Sequence, residues 1–271
     1  MRRRIIENIL AIVISIIFLL PLISIFLLSI IDLQRQTLSY NQYYLLFKEN
    51  LEFFYLYFKS FLITMLIVIG QLVISILISY YYARSKSLFS RIMFFVYVYL
   101  MILPLQVMLI PTTLLYNQIE NIFPVILFDT QWSIILPGIF STISVFILKQ
   151  YFSSFPEEYF DNAKIDGASN FDIILKIILP NSMYAILVLS LLLFLEYWNM
   201  IEQGLIFLNS ASNMPVSLYL NSINYSNKSY IFACVVFFLL PILLFIKLTL
   251  KVLINKYKEE LKLEKDYAQT K

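Results

Sequence analysis

Six long apolar runs, each free of Lys, Arg, Asp and Glu, divide the chain at residues 8–31, 60–83, 92–119, 130–148, 177–195 and 229–246. A helix needs about 20 mostly apolar residues to cross a bilayer. Each run therefore matches one crossing, and the third is long enough to cross and leave a short outer segment. Strict alternation of apolar and polar positions is absent, which argues against a membrane barrel. The pattern predicts an all-α integral membrane protein with a single transmembrane domain over residues 1–271. Its six spans are expected at about 8–31, 60–83, 92–114, 130–148, 182–202 and 229–248. Residues 251–271 are expected to form a charged amphipathic tail at the membrane surface.

Basic residues set the expected orientation, because Lys and Arg accumulate in cytoplasmic loops. Of the 20 in the chain, 16 fall on one face: Arg2–Arg4, Arg84, Lys86, Arg91, Lys149, Lys164, Lys176 and seven from Lys247 to Lys271. Arg35, Lys48, Lys59 and Lys228 fall on the other. Both termini are expected in the cytoplasm of a multi-pass plasma-membrane protein. The first apolar run exceeds a signal-peptide core and lacks a small-residue cleavage site, so it reads as an uncleaved helix.

Composition agrees and narrows the chemistry. The chain is 61% hydrophobic and 14% charged, against roughly 25% charged in ordinary soluble domains. Without histidine, and with Cys234 as its one cysteine, it has no His base, no Cys–His dyad, no thiolate metal cluster and no intrachain disulfide. No catalytic residue or metal ligand is assigned. The four glycines are too scattered for a phosphate-cradling loop, so any ATP must be bound by another polypeptide. The net charge of +3 follows from topology and requires no nucleic-acid partner.

The most informative polar stretch is residues 153–180, between the fourth and fifth spans. Ser154 and Glu157 have capping-box spacing, with Pro156 in the first turn. Helix-compatible residues run to Asp166, and Gly167 can take the left-handed conformation that ends a helix. Ser169 and Asp172 repeat the capping spacing. Phe171, Ile174, Leu175 and Ile178 are then expected on one helical face, and Pro180 is expected to close the segment before span five. The stretch predicts a helix–turn–helix lying at the cytoplasmic face.

This stretch resembles the EAA loop of binding-protein-dependent ABC transporter permeases, whose pattern is roughly P-x-E-x-x-E-A-A-x-x-D-G-A followed by an aromatic residue, Ile and Leu-Pro. Pro156, Glu158, Ala163, Asp166, Gly167, Ala168, Phe171, Leu179 and Pro180 match it. Asp161 and Asn162 stand where the pattern has Glu and Ala, and Asn181 where a Leu is usual. Residues 80–84 with Phe89, 101–111, 134–137, 146–152, Trp198-Asn199 and Leu240-Pro241 resemble the carbohydrate (MalG-type) branch. The resemblance extends over about 60–245. It implies an importer subunit whose loop, through Glu158, Asp161, Ala163, Asp166, Gly167, Ala168 and Pro180, couples to cytoplasmic ATPases. It further implies two ATPase subunits holding ATP and Mg, a second and different permease, and an extracellular solute-binding protein. This chain itself would bind no cofactor. The implied cargo is a sugar or oligosaccharide. The same machinery could carry a polyamine, phosphonate or amino acid, and a non-transporting scaffold is a third reading.

Four residues are candidates for the translocation path. Glu196 is ionisable within an apolar span, which marks a functional site by default. It either lines the path or sits at the headgroup boundary. Trp198 and Asn199 follow it, with an interfacial aromatic belt as the alternative for Trp198. Gln106 lies between Pro104 and Pro111, which are expected to interrupt span three, either beside a water-filled path or as a structural kink.

Overall fold

The computed structural model describes residues 2–32, 37–49, 51–140, 142–223 and 228–269. Arg35 and Lys271, two members of the basic-residue count, lie outside the described residues. The chain begins with α1 (Arg2–Ser29), then a small antiparallel pair, β1 (Ile31–Asp32) and β2 (Thr37–Leu38). Next come α2 (Asn41–Glu49), α3 (Leu51–Arg84), α4 (Leu88–Ile102), α5 (Leu105–Ile122), α6 (Trp132–Ile139) and α7 (Ile143–Ser153). After α8 (Glu157–Ile165) and α9 (Asn170–Ile173), a π-helical stretch, Ile174–Ile178, leads into α10 (Leu179–Trp198). The remainder is α11 (Glu202–Phe207), a 3₁₀ turn (Ala211–Asn213), α12 (Val216–Ser222) and α13 (Lys228–Gln269).

Among the described residues, five stretches are long and apolar enough to cross a membrane: Glu7–Ser29, Leu51–Arg84, Trp132–Ser153, Asn170–Trp198 and Ser229–Lys258. The third expected span differs from a simple crossing. Its helices, Leu88–Ile102 and Gln106–Ile122, meet at 107°. The cause is local. Proline excludes the preceding residue from the α region, and Leu103 is extended (φ −67, ψ 127) while Pro104 caps the next helix (φ −65, ψ 145). Pro111, expected to interrupt the same span, instead lies within α5 without ending it. The hydroxyls of the neighbouring Thr112 and Thr113 donate to Met108 O and Leu109 O at 2.8 and 2.9 Å.

Span five also departs from its expected limits of 182–202. The helix begins at Asn170 and ends at Trp198, where Asn199 leaves the helical region and its Nδ2 donates to Leu195 O at 2.7 Å. Pro180 does not close a segment. It occupies the first turn of α10, directly after the π stretch. A proline lacks the N–H for an i→i−4 bond and crowds that carbonyl. The wider π turn accommodates this, with Leu179 N bonding to Ile174 O five residues back. The expected tail is not separate either: α13 continues unbroken from the sixth span to Gln269.

The centre of the bundle is α3, which packs against α6, α7, α10, α2 and α12. Its buried face mixes apolar side chains (Phe53, Leu56, Ile67) with small or polar ones (Ser60, Thr64, Gln71, Ser75, Ser79). Small residues let membrane helices approach closely, and polar groups bond across them. Gln71 Nε2 donates to Ser144 Oγ of α7 at 2.6 Å. A Cβ at Gly138 of α6 would lie 2.7 Å from Ile67 Cγ2, so that approach requires glycine. The outer surface is the reverse of a soluble protein's. Side chains such as Ile12, Phe18 and Leu20 of α1, and Leu62 and Ile69 of α3, are exposed. An apolar exterior of this extent suits lipid, not water.

Candidate functional site

One candidate site is the α7–α10 connection. The capping box expected at Ser154 is absent. Ser154 instead keeps helical dihedrals at the end of α7 and its Oγ donates to Tyr151 O at 2.6 Å, while extended Pro156 starts α8 without a side-chain cap. The second box is present: Ser169 Oγ accepts from Asp172 N at 3.2 Å and Asp172 Oδ2 accepts from Ser169 N at 3.3 Å. Gly167 has φ +80. Ala168 N bonds to Ala163 O at 2.9 Å and Gly167 N to Lys164 O at 3.0 Å, the double bond that closes a helix through a left-handed glycine.

Contacts from the end of α3 fasten the connection at α7, α8 and α9. Phe160 is buried beneath the Arg84 guanidinium, whose carbon lies 3.4 Å from the ring centroid, and Arg84 Nη2 donates to Phe152 O at 3.2 Å. Tyr80 OH donates to Asn170 Oδ1 at 3.2 Å. Lys86 and Glu157 approach to 3.2 Å, but both are exposed, so this pair contributes little. Ala163 and Ala168 are half-buried against the core, whereas Glu158, Asp161, Asp166, Gly167 and Pro180 are exposed. The expected apolar face is redistributed: Ile174 and Ile178 are buried with Ile173, while Phe171 and Leu175 point outward. Tyr159, Ile165 and Phe171 thus form exposed apolar points on an otherwise polar loop, 57%, 82% and 62% accessible. Their signal in the sequence was an aliphatic residue, Ile165, amid acidic and amide side chains.

A second site joins residues far apart in the chain. Gln106 Nε2 donates to both carboxylate oxygens of Glu202, each at 2.9 Å. Glu202 borders a hollow of about 300 Å³ that Glu196, Asn199 and Gln203 also line. Three of the four expected path residues, Gln106, Glu196 and Asn199, therefore meet around one feature. Trp198 does not. It is 1% exposed, its Nε1 donates to Phe238 O at 3.0 Å, and its ring stacks on Phe194 and Phe238. It is a packing residue because it follows Phe194 by one turn and faces α13. Glu202 and Gln203 were not singled out in the sequence, since the pairing of Glu202 with Gln106 spans 96 residues.

At the same end of α10, Asp129 ties two connecting segments together. It has φ 57, its Oδ1 accepts from Asn209 N and Ser210 N at 3.0 and 2.9 Å, and the Ser210 hydroxyl bonds to its Oδ2. Lys59 Nζ of α3 joins the cluster through Ser212 O and Asn213 Oδ1 at 2.8 and 2.7 Å. The Ser210 hydroxyl, followed by the backbone amides, holds the Asp129 carboxyl below its ordinary pKa. A carboxyl depressed in the folded state stabilises it above the unfolded pKa and loses that contribution as pH falls through the folded value. Asp129→Ala should therefore speed hydrogen exchange at the 209 and 210 amides by roughly tenfold or more at neutral pH. In the wild type the same acceleration should appear only on acidification below the ordinary carboxylate range.

Long apolar helices, a lipid-facing exterior and polar residues gathered at both ends define a multi-pass helical membrane protein. The sequence profile described as "Binding-protein-dependent transport system inner membrane component" matches residues 71–259. The chain belongs to that family. The polygalacturonan/rhamnogalacturonan transport system permease protein YtcP of Bacillus subtilis (strain 168) is 31% identical over 170 residues, 61% of this chain and 57% of its own. The alpha-glucoside transport system permease protein AglG of Rhizobium meliloti (strain 1021) is 34% identical over 164 residues, 58% of this chain and 43% of its own. The matches thus span about half the length of these relatives. Among solved structures, a chain of a bacterial ABC transporter that imports the acidic polysaccharide alginate superposes with a TM-score of 0.78, covering 92% of this chain and 96% of that one. At 19% identity this likeness establishes the fold.

Proposed function

We propose that this chain is the permease subunit of an ATP-driven importer and forms part of the translocation path for a saccharide. The observation that carries the reading is the α8–α9 loop. Its glycine-closed helix is fastened to α3 through Phe160 and Arg84, yet leaves Tyr159, Ile165 and Phe171 uncovered. Exposed apolar points on a rigid acidic helix suit insertion into a partner's groove. The partner is a cytoplasmic ATPase subunit, present in two copies, which binds ATP and Mg; this chain binds neither and catalyses no reaction. Glu158, Asp161, Asp166 and Gly167 belong to the coupling surface. A second, different permease completes the path, and an extracellular binding protein delivers the solute. Both termini face the cytoplasm from the plasma membrane, a reading that the distribution of basic residues supports. The relatives' names include a polygalacturonan and an alpha-glucoside system, which supports a saccharide cargo.

The test is co-purification. Expressed with its ATPase and second permease, the chain should retain the ATPase through detergent extraction, and the binding protein carrying its saccharide should stimulate ATP hydrolysis in vesicles. A Gly167→Cys variant should be labelled only from the cytoplasmic side. Loss of the ATPase from the purified chain, or labelling from outside intact cells, would overturn the coupling assignment or the topology respectively.

A further inference from the structure

The hollow beside α11 has a chemical polarity that the family does not specify. Its polar lining consists chiefly of groups that accept hydrogen bonds. Glu196 and Glu202 are carboxylates. The Gln106 amide spends its NH₂ on both Glu202 oxygens. Donation to both oxygens suits the ionised carboxylate, which only accepts. Asn199 commits its Nδ2 to Leu195 O, and neither Lys nor Arg is among the residues lining the hollow. Gln203 also lines it and makes no side-chain hydrogen bond among the described residues, so its amide is open to a polar group that enters the hollow.

Resting on the permease reading above, we infer that this hollow is a negatively charged, acceptor-rich station that passes neutral or amine-bearing saccharides and disfavours uronates. Hydroxyl and ammonium groups bring donors for the carboxylate oxygens. A sugar carboxylate brings none, and it meets the Glu202 carboxylate, of its own sign, where low-dielectric walls strengthen the field.

The experiment uses the assembled importer in membrane vesicles, with Cys234 replaced by Ala and Asn199 by Cys. Cys234 is fully buried, so its replacement removes the one native thiol. Modification rates are measured with three methanethiosulfonates: cationic trimethylammonioethyl, anionic sulfonatoethyl and, as the neutral reagent of comparable bulk, butyl. The charged pair stand in for amine-bearing and acidic solutes. The cation-to-anion rate ratio, normalised to a free thiol, should exceed about tenfold. It should fall towards one when Glu196→Gln and Glu202→Gln are added. A ratio near one alongside rapid neutral modification would overturn the charge assignment while leaving the permease reading intact. A high ratio that survives both Gln substitutions would place the field elsewhere and overturn it too. No reaction with any reagent from either side would remove Asn199 from the path. Retention of the ATPase by the same preparation then reports separately on the permease reading.

Discussion

Gly167→Val should abolish coupled ATP hydrolysis and solute uptake while leaving the amount of chain in the membrane close to wild type. Gly167 sits at φ +80, and its amide and the next close α8 through Lys164 O and Ala163 O. Left-handed backbone costs a residue with a β-carbon roughly 1–2 kcal/mol, and β-branching makes such a residue a true outlier there. Space is not the obstacle, since nothing lies within 4 Å of a Cβ at this position. The strain is conformational. It is relieved by unwinding the last turn of α8, which displaces Ile165 and Asp166. The spans keep their apolar content, so insertion is unaffected. Co-purified ATPase and hydrolysis in vesicles are the measurements. Gly167→Asn is the control, because asparagine tolerates this region better, and it should recover part of both. Normal coupling in the valine variant would remove the loop from the mechanism.

Trp198→Ala should be the most damaging single substitution to the fold itself. The indole is enclosed by Phe194, Phe238, Tyr57 and Phe61, and its N–H is bonded to Phe238 O. Truncating a buried large aromatic costs about 3–5 kcal/mol, and here it also removes the hydrogen bond to Phe238 O. Membrane abundance and the midpoint of thermal unfolding in detergent should both fall sharply. Trp198→Phe keeps the stack and loses only the hydrogen bond, so it should retain uptake with a smaller stability loss. A path-lining tryptophan would behave differently, with altered uptake at normal abundance in both variants.

The sequence made some of this legible and hid the rest for physical reasons. The apolar runs anticipated most of the long apolar helices because lipid demands long uninterrupted apolar helices. Gly167 and the Ser169–Asp172 box were readable because turn and cap chemistry is local. Pro104 was readable as an interruption, though not the 107° turn it produces. Pro180 misled because a proline ordinarily ends a helix, and the compensating π turn leaves no mark in the residues that form it. Phe171 and Leu175 misled for a related reason: the π stretch shifts the phase on which a 3.6-residue period depends. Trp198 looked like a path or belt residue because its enclosing partners, Phe238 above all, come from another helix. The tie from Gln106 to Glu202 was invisible for the same reason. Local chemistry can be read along the chain; pairings between distant helices exist only once the bundle has formed.

The unbroken helix from Asn170 to Trp198 has a mechanical consequence. Its 29 residues make a rod of about 43 Å at 1.5 Å per residue. One end begins beside the Gly167 turn, and the other stops at Asn199 on the rim of the polar hollow. A tilt of about 5° pivoted at the first end carries the second through about 4 Å, more than the length of a hydrogen bond. A lever of this kind needs no relay of intermediate side chains. Its stiffness does the work of transmission, and the π turn at Ile174–Ile178, close to the pivot, is the only irregular stretch along it.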